Sequence, residues 1–132
     1  MGNISSINKI NFEFVQNSIN SKEIIIINTL NDNNQNCLIK NTLSINQEVS
    51  IITNNMKSNK NIKIIIYGEN SCDNSIIIKY NQLYKLGFKN IYVYVGGLFE
   101  WLLLQDIYGE DEFPTTDKII DILKYKGCNN ML

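Results

Sequence analysis

The sequence predicts a single α/β domain in which a largely parallel sheet is flanked by helices on both faces. Short isoleucine-rich runs, each bounded by polar residues or glycine, are typical of strands buried on both faces of a parallel sheet. Between these runs, apolar residues recur at helical spacing, which favours βαβ units with right-handed crossovers. The predicted strands are Ile24–Ile27, Ile62–Tyr67 and Ile91–Val95.

The length and composition fit one packed domain. The 132 residues are 44% hydrophobic and 19% charged, so the chain has apolar material for a core and too little charge for wholesale disorder. We expect a flexible leader over residues 1–9, the domain over residues 10–127, and a short tail over residues 128–132.

Signals for the start and end of helices lie between and after the predicted strands. Asn11 is suited to cap a helix that carries Phe14, Val15 and Ile19, and Gly87 is suited to end a later one. The further predicted helices are Gln47–Met56, Ser75–Leu86, Leu98–Asp106 and Lys118–Tyr125, the last capped by Thr116 or Asp117.

Missing residue types exclude several classes of site. The sequence contains neither histidine nor arginine, which excludes imidazole-dependent triads and dyads, His-ligated zinc, and anion sites built on guanidinium groups. Because Cys37, Cys72 and Cys128 are far apart in sequence, neither a disulfide framework nor a cysteine-rich zinc site is predicted, and we expect no metal and no cofactor. Abundant isoleucine and asparagine without alanine are typical of an AT-rich genome.

Charge and hydropathy give expectations about partners and location. The net charge of −1 gives no reason to propose nucleic acid as a partner. No run reaches the roughly 20 apolar residues of a membrane span, so we expect a cytoplasmic protein without a transmembrane segment. The N-terminal residues 1–6 fit the myristoylation pattern, with the lipid on Gly2, and a single acyl chain would give only weak membrane attachment.

The loop after the second predicted strand is the candidate functional site. In an open α/β sheet, ligands bind beyond the carboxyl ends of the strands. A helix that starts directly after such a loop aims backbone N–H groups at an anion or a thiolate. The loop consists of Gly68, Glu69, Asn70, Ser71, Cys72, Asp73 and Asn74.

An ordered set of motifs surrounds this loop. The strand Ile64–Tyr67 and the seven-residue loop come first, followed by a helix that runs into Leu86-Gly87-Phe88. The strand Asn90–Val93, the pair Gly96-Gly97 and Trp101 then complete the set. Together, residues 62–104 resemble the rhodanese-like domain family, which implies a sulfurtransferase fold with a persulfide-carrying cysteine. Two upstream segments match that family in their spacing but not in the identity of their residues. Ile27–Leu30 lies where the family has an Asp-x-Arg segment, and Ile39–Leu43 lies where it has an Ile-Pro-Gly-Ala-Ile segment.

The chain departs from the family at the residues that carry its chemistry. Gly68 occupies the place of the persulfide cysteine, and Asp73 occupies that of an arginine near the end of the loop. Cys72 lies in the same loop, but Glu69 and Asp73 flank it, and their charges disfavour the thiolate that sulfur transfer requires.

Two functions from different classes follow from this pattern. The first is a degenerate rhodanese-like module that binds or regulates a protein partner through the loop and residues 105–114, a segment expected beside the loop that mixes acids with exposed aromatic residues. The second is an active sulfurtransferase that uses Cys72 and takes sulfur from thiosulfate or a protein persulfide, a small anionic or persulfide sulfur compound in either case. A dual-specificity phosphatase is disfavoured because its phosphate loop needs an arginine.

Overall fold

The structure is a computed structural model that describes residues 7–127. Gly2 with its predicted lipid, most of the predicted leader, and the predicted tail with Cys128 lie outside the described residues.

The central sheet is four-stranded and entirely parallel within the described residues, which confirms the predicted fold class. Its order is β1-β4-β3-β2, so β3 and β4 lie at the centre. The alternation of side chains along each strand sends isoleucines to both faces, as expected for strands covered on both sides. The strands are β1 (Asn8–Ile10), β2 (Ile24–Asn28), β3 (Lys63–Tyr67) and β4 (Ile91–Tyr94).

Four α-helices within residues 7–127 cover the two faces. They are α1 (Phe12–Ser18), α2 (Ile45–Ser58), α3 (Ser75–Lys85) and α4 (Gly97–Tyr108). Helices α2 and α3 pack on the face that presents Ile64 and Ile66, and α1 and α4 pack on the face of Ile65 and Tyr67. Lys79 on α3 also donates to Glu48 on α2 over 2.6 Å. No helix within residues 7–127 is long and apolar enough to cross a membrane.

The predicted helix ends near Asn11 and Gly87 are confirmed. Asn11 Oδ1 accepts a hydrogen bond from Phe14 N over 3.1 Å at the start of α1. Gly87 follows α3 with a φ of 101°, the left-handed conformation that glycine adopts without strain.

Two predictions near the ends of the chain differ from the structure. Strand β1 begins at Asn8, so two residues assigned to the leader lie in the sheet. The predicted helix over Lys118–Tyr125 is wrong, because only Ile122–Tyr125 is helical, as a 3₁₀ turn. Thr116 does not cap it: its backbone N–H and its hydroxyl both bond to Leu38, which ties the segment to the neighbouring loop.

Candidate active-site loop

The candidate loop lies between β3 and α3, at the carboxyl edge of the sheet, as predicted. A cavity of about 310 Å³ opens beside it. The loop contributes carboxylate, amide and thiol groups to this cavity, and the end of β2 and the C-terminal segment complete the wall. The lining residues are Thr29, Asn31, Glu69, Asn70, Cys72, Asp73, Ser75 and Lys126.

The space above Gly68 is filled by the side chain of Asp73. A Cβ atom built on Gly68 would overlap Asp73 Oδ2, and it would lie 2.8 Å from both Asp73 Cγ and Thr29 Oγ1. The glycine φ is not in the left-handed region, so close approach rather than backbone conformation is what demands glycine here. Any side chain at position 68 would therefore compete with a carboxylate for the same volume.

Hydrogen bonds on both sides hold the Asp73 carboxylate in place. Thr29 Oγ1 donates to Oδ2 over 2.7 Å, and Ser75 N donates to Oδ1 over 2.9 Å. The second bond satisfies the N–H group of Ser75, the first residue of α3, from the residue that precedes the N-cap Asn74. Its position above Gly68 is thus part of the fold.

The N-terminus of α4 is used by the loop backbone. Leu98 N donates to Gly68 O over 2.9 Å, and Phe99 N donates to Glu69 O over 2.8 Å. Gly97 makes this contact possible: its φ is 68°, and a Cβ atom on it would lie 2.7 Å from Gly68 O. These two N–H groups of α4 therefore fix the loop and do not point into the cavity.

Asn70 joins the loop to the C-terminal segment. Its side chain is only 8% exposed, and its Nδ2 donates to the carbonyl oxygens of Tyr125 and Lys126 over 2.9 and 3.0 Å. Its Oδ1 accepts from Cys72 N over 2.8 Å, which closes a tight turn. The side-chain amide of Asn70 therefore hydrogen-bonds both the backbone of Cys72 and that of residues 125–126.

Cys72 is exposed and lines the cavity. The charged groups around the cavity are the carboxylates of Glu69 and Asp73 and the ammonium of Lys126. Asn34 Nδ2 donates to Glu69 Oε1 over 3.2 Å, which orients that carboxylate. Within residues 7–127, no cluster of three or more His, Cys, Asp or Glu side chains could hold a metal ion.

Tyr67 forms the buried base below the loop. Its hydroxyl accepts from Ile39 N over 3.0 Å and pairs with Thr42 Oγ1 over 2.9 Å. Desolvation by burial raises the pKa of this hydroxyl well above its usual range. The residue next to the glycine is therefore structural, as the sequence indicated.

The structure separates the loop from the acidic segment that was predicted to lie beside it. Residues 105–114 start at the far end of α4 and line a different surface, together with Lys40 and Lys118. Tyr108 is exposed as predicted, but Phe113 is buried against Trp101. This segment therefore lines a groove that is separate from the loop cavity.

Sequence reasoning found part of the cavity and missed the rest. Of the seven predicted loop residues, Glu69, Asn70, Cys72 and Asp73 line the cavity, whereas Ser71 faces an adjacent groove. Thr29 and Asn31 could have been predicted, since they follow β2, the neighbour of β3 in the parallel sheet. Lys126 carried no local signal, because a long-range contact through Asn70 brings it to the site.

Solved structures with this fold come from bacteria and yeast. The Alr3790 protein from Anabaena sp. is 19% identical with a TM-score of 0.59, and the match covers 87% of this chain and 84% of that one. The BH2092 protein from Bacillus halodurans is 19% identical with a TM-score of 0.60, over 77% and 74% of the two chains. The single-domain sulfurtransferase RDL2 from Saccharomyces cerevisiae is 14% identical with a TM-score of 0.53, over 86% and 100%.

Comparison of the sequence with known families identifies the family of the chain. No curated protein matches it. The rhodanese-like domain family matches residues 11–104, a span that runs from the cap of α1 to the middle of α4 and includes the whole candidate loop. The protein therefore belongs to the rhodanese-like domain family.

Proposed function

We propose that this protein is a rhodanese-like domain that has lost sulfur transfer and serves as a binding or regulatory module. The observation that carries the proposal is the Asp73 carboxylate above Gly68. In the family a persulfide forms on the residue at position 68, and here a fixed anion occupies the volume where that sulfur would start. An anionic donor such as thiosulfate would meet two carboxylates at the cavity and be repelled.

The loop cavity is the surface we propose for a protein partner. It presents carboxylates, amides and one ammonium group, a composition suited to polar peptide groups rather than to a small sulfur anion. Residues 105–114 form a second, separate candidate surface, in which Ile107 and Tyr108 are exposed. We further propose a cytoplasmic location with weak membrane attachment through Gly2, supported by the N-terminal motif alone.

The second candidate function is sulfur transfer through Cys72, which is supported by its place in the cavity wall. In that reaction the Cys72 thiolate would attack the sulfane sulfur of thiosulfate, forming a persulfide and releasing sulfite with the electron pair of the broken S–S bond. The acceptor, cyanide or a thiol, would then take the outer sulfur and regenerate the thiolate.

A sulfur-transfer assay with mass spectrometry separates the two functions. We expect thiosulfate-to-cyanide transfer by the full chain to equal background and to be unchanged in Cys72→Ser. We also expect no persulfide on Gly68→Cys, because its Cβ displaces the Asp73 carboxylate, which stays beside the new thiol and repels anionic thiosulfate. Turnover above background that Cys72→Ser abolishes would establish the sulfurtransferase instead.

A double variant tests the obstruction itself. Gly68→Cys/Asp73→Ser frees the volume and keeps a side-chain oxygen that can accept from Ser75 N. We expect this variant, unlike Gly68→Cys alone, to gain one sulfur atom in mass when it is incubated with thiosulfate. If both variants load equally, Asp73 does not obstruct position 68; thermal unfolding of each variant verifies that both are folded.

A further inference from the structure

We propose that the groove between α4 and the carboxyl ends of β1 and β4 binds a small organic ammonium ion with an apolar body. The groove lies beside the loop cavity, and binding there would depend neither on sulfur transfer nor on the proposed partner surface. Its volume is about 650 Å³, within the range typical of small-molecule sites.

The topology of the sheet places this groove where α/β folds usually bind ligands. Strands β1 and β4 are parallel neighbours, and Ile10 pairs with Tyr94 at the last position of each strand. The chain enters α1 soon after Ile10 and enters α4 after Gly96. The groove therefore opens beyond the carboxyl ends of two adjacent strands.

The walls of the groove are mostly apolar. Strand β1, helix α1, the segment after β4, and α4 all contribute aliphatic or aromatic side chains. Such a lining removes the hydrocarbon surface of a ligand from water and leaves its orientation to a few polar groups. The apolar lining residues are Ile10, Phe12, Val95, Phe99 and Leu103.

A single carboxylate lies in this apolar lining. Among the described residues that line the groove, Glu100 alone carries a charge. Its Oε1 accepts from the Tyr94 hydroxyl over 2.6 Å, a length typical of a hydroxyl that donates to an ionised carboxylate. Neither ion pair within residues 7–127 includes Glu100, and no donor from these residues bonds to its Oε2. A partly buried carboxylate without a counterion favours a cation that enters the groove.

The fold holds this carboxylate in a defined position. Tyr94 is fully buried, and both this burial and the bond to Glu100 raise the pKa of its hydroxyl, which therefore stays protonated and donates. Gly96 leaves room for the carboxylate, because a Cβ atom built on this glycine would overlap Glu100 Cδ and both carboxylate oxygens. The anion is thus in place before a ligand arrives, which lowers the cost of binding.

These features select the charge of the ligand. A primary ammonium group can donate to Glu100 Oε2, while the apolar body of the ligand contacts the walls. The rings of Phe12 and Phe99 also line the groove, and aromatic rings attract organic cations. An anion of the same shape would be repelled by Glu100, and a neutral alcohol would leave the carboxylate without a counterion.

Titration of the isotope-labelled full chain with phenethylammonium, followed by amide NMR shifts, tests the inference. We expect saturable shifts at the groove residues with a Kd of about 1 mM, a typical affinity for a ligand of this size. Phenethyl alcohol should bind about tenfold more weakly, and hydrocinnamate should cause no saturable shift. Equal affinity for the ammonium ion and the alcohol, or shifts confined to residues outside the groove, would overturn the inference.

Three variants separate the charge of Glu100 from its shape. Glu100→Gln keeps an oxygen that accepts from Tyr94 but removes the charge, and we expect the ammonium ion to bind about tenfold more weakly. Gly96→Ala displaces the carboxylate without removing it, at a φ of −61° that alanine adopts readily, and should weaken binding about threefold. Glu23→Gln is the matched control, because it removes an exposed carboxylate that does not line the groove, and it should leave the Kd unchanged.

Thermal unfolding verifies that each variant is folded. Unchanged affinity in a folded Glu100→Gln variant, or an equal loss in Glu23→Gln, would show that Glu100 does not pair with the ligand and would overturn the inference. Groove shifts that change with protein concentration in the absence of any ligand would instead assign the groove to a second copy of the chain.

Discussion

Gly68→Ala provides a direct thermodynamic test of the contact between Gly68 and Asp73. The added methyl group would overlap Asp73 Oδ2, so the carboxylate must rotate away. That movement breaks the bonds from Thr29 Oγ1 and Ser75 N. Each is worth about 0.5–1.5 kcal/mol net, so we expect the free energy of unfolding to fall by about 2 kcal/mol.

A double-mutant cycle determines whether the cost comes from Asp73. Asp73→Ala loses the same two hydrogen bonds and should also cost about 2 kcal/mol, whereas the double variant should cost about 2 rather than about 4 kcal/mol. Gly127→Ala is the matched control, because its new methyl group meets only an ordinary contact, and it should change stability by less than about 0.5 kcal/mol.

Urea denaturation followed by circular dichroism measures each corner of this cycle. With an m value of about 2 kcal/mol/M, each single variant should lower the urea midpoint by about 1 M. Equal midpoints for Gly68→Ala and Gly127→Ala would refute the steric conflict. Additive costs in the double variant would show that Asp73 is not the group displaced.

Three further outcomes are expected. Burial raises the folded-state pKa of the Cys37 thiol and of the Tyr67 hydroxyl. Both groups therefore stabilise the fold fully below their unfolded-state pKa values, and this stabilisation is lost as the pH rises above them. The urea midpoint should fall above about pH 9, and it should fall less steeply in Cys37→Ala. Glu48→Gln, which breaks a partly buried ion pair, should cost about 1 kcal/mol, whereas Glu110→Gln, in an exposed pair at 3.6 Å, should cost less than about 0.5 kcal/mol by the same assay. Coexpression with an N-myristoyltransferase should add one myristoyl group to the intact mass, and Gly2→Ala should prevent it; an unmodified wild-type chain would contradict the motif.

The central fold could be predicted because its signals are local. Continuous isoleucine runs reveal β2, β3 and β4, and Asn11 and Gly87 mark helix ends through chemistry within a few residues. Strand β1 escaped prediction because its three residues, Asn-Lys-Ile, carry one apolar side chain and gain their place only by pairing with β4.

The candidate site was only partly predictable, because its decisive contacts depend on the path of the loop. Gly68 and Asp73 are five residues apart, and nothing in their identities shows that one side chain fills the space above the other. That path is set from outside the loop, by Gly97 on α4 and by the bonds from Asn70 to residues 125–126. Long-range constraints of this kind leave no periodicity in the sequence.

The bonds from Leu98 and Phe99 to the carbonyl oxygens of Gly68 and Glu69 also bear on how a partner would associate. They fix the loop backbone when the domain folds, so little conformational entropy is left to lose on binding. A ligand of this surface would meet a preformed shape. Its association should then follow a single kinetic phase whose rate depends on encounter and charge, while affinity differences among ligands would reside in the dissociation rate.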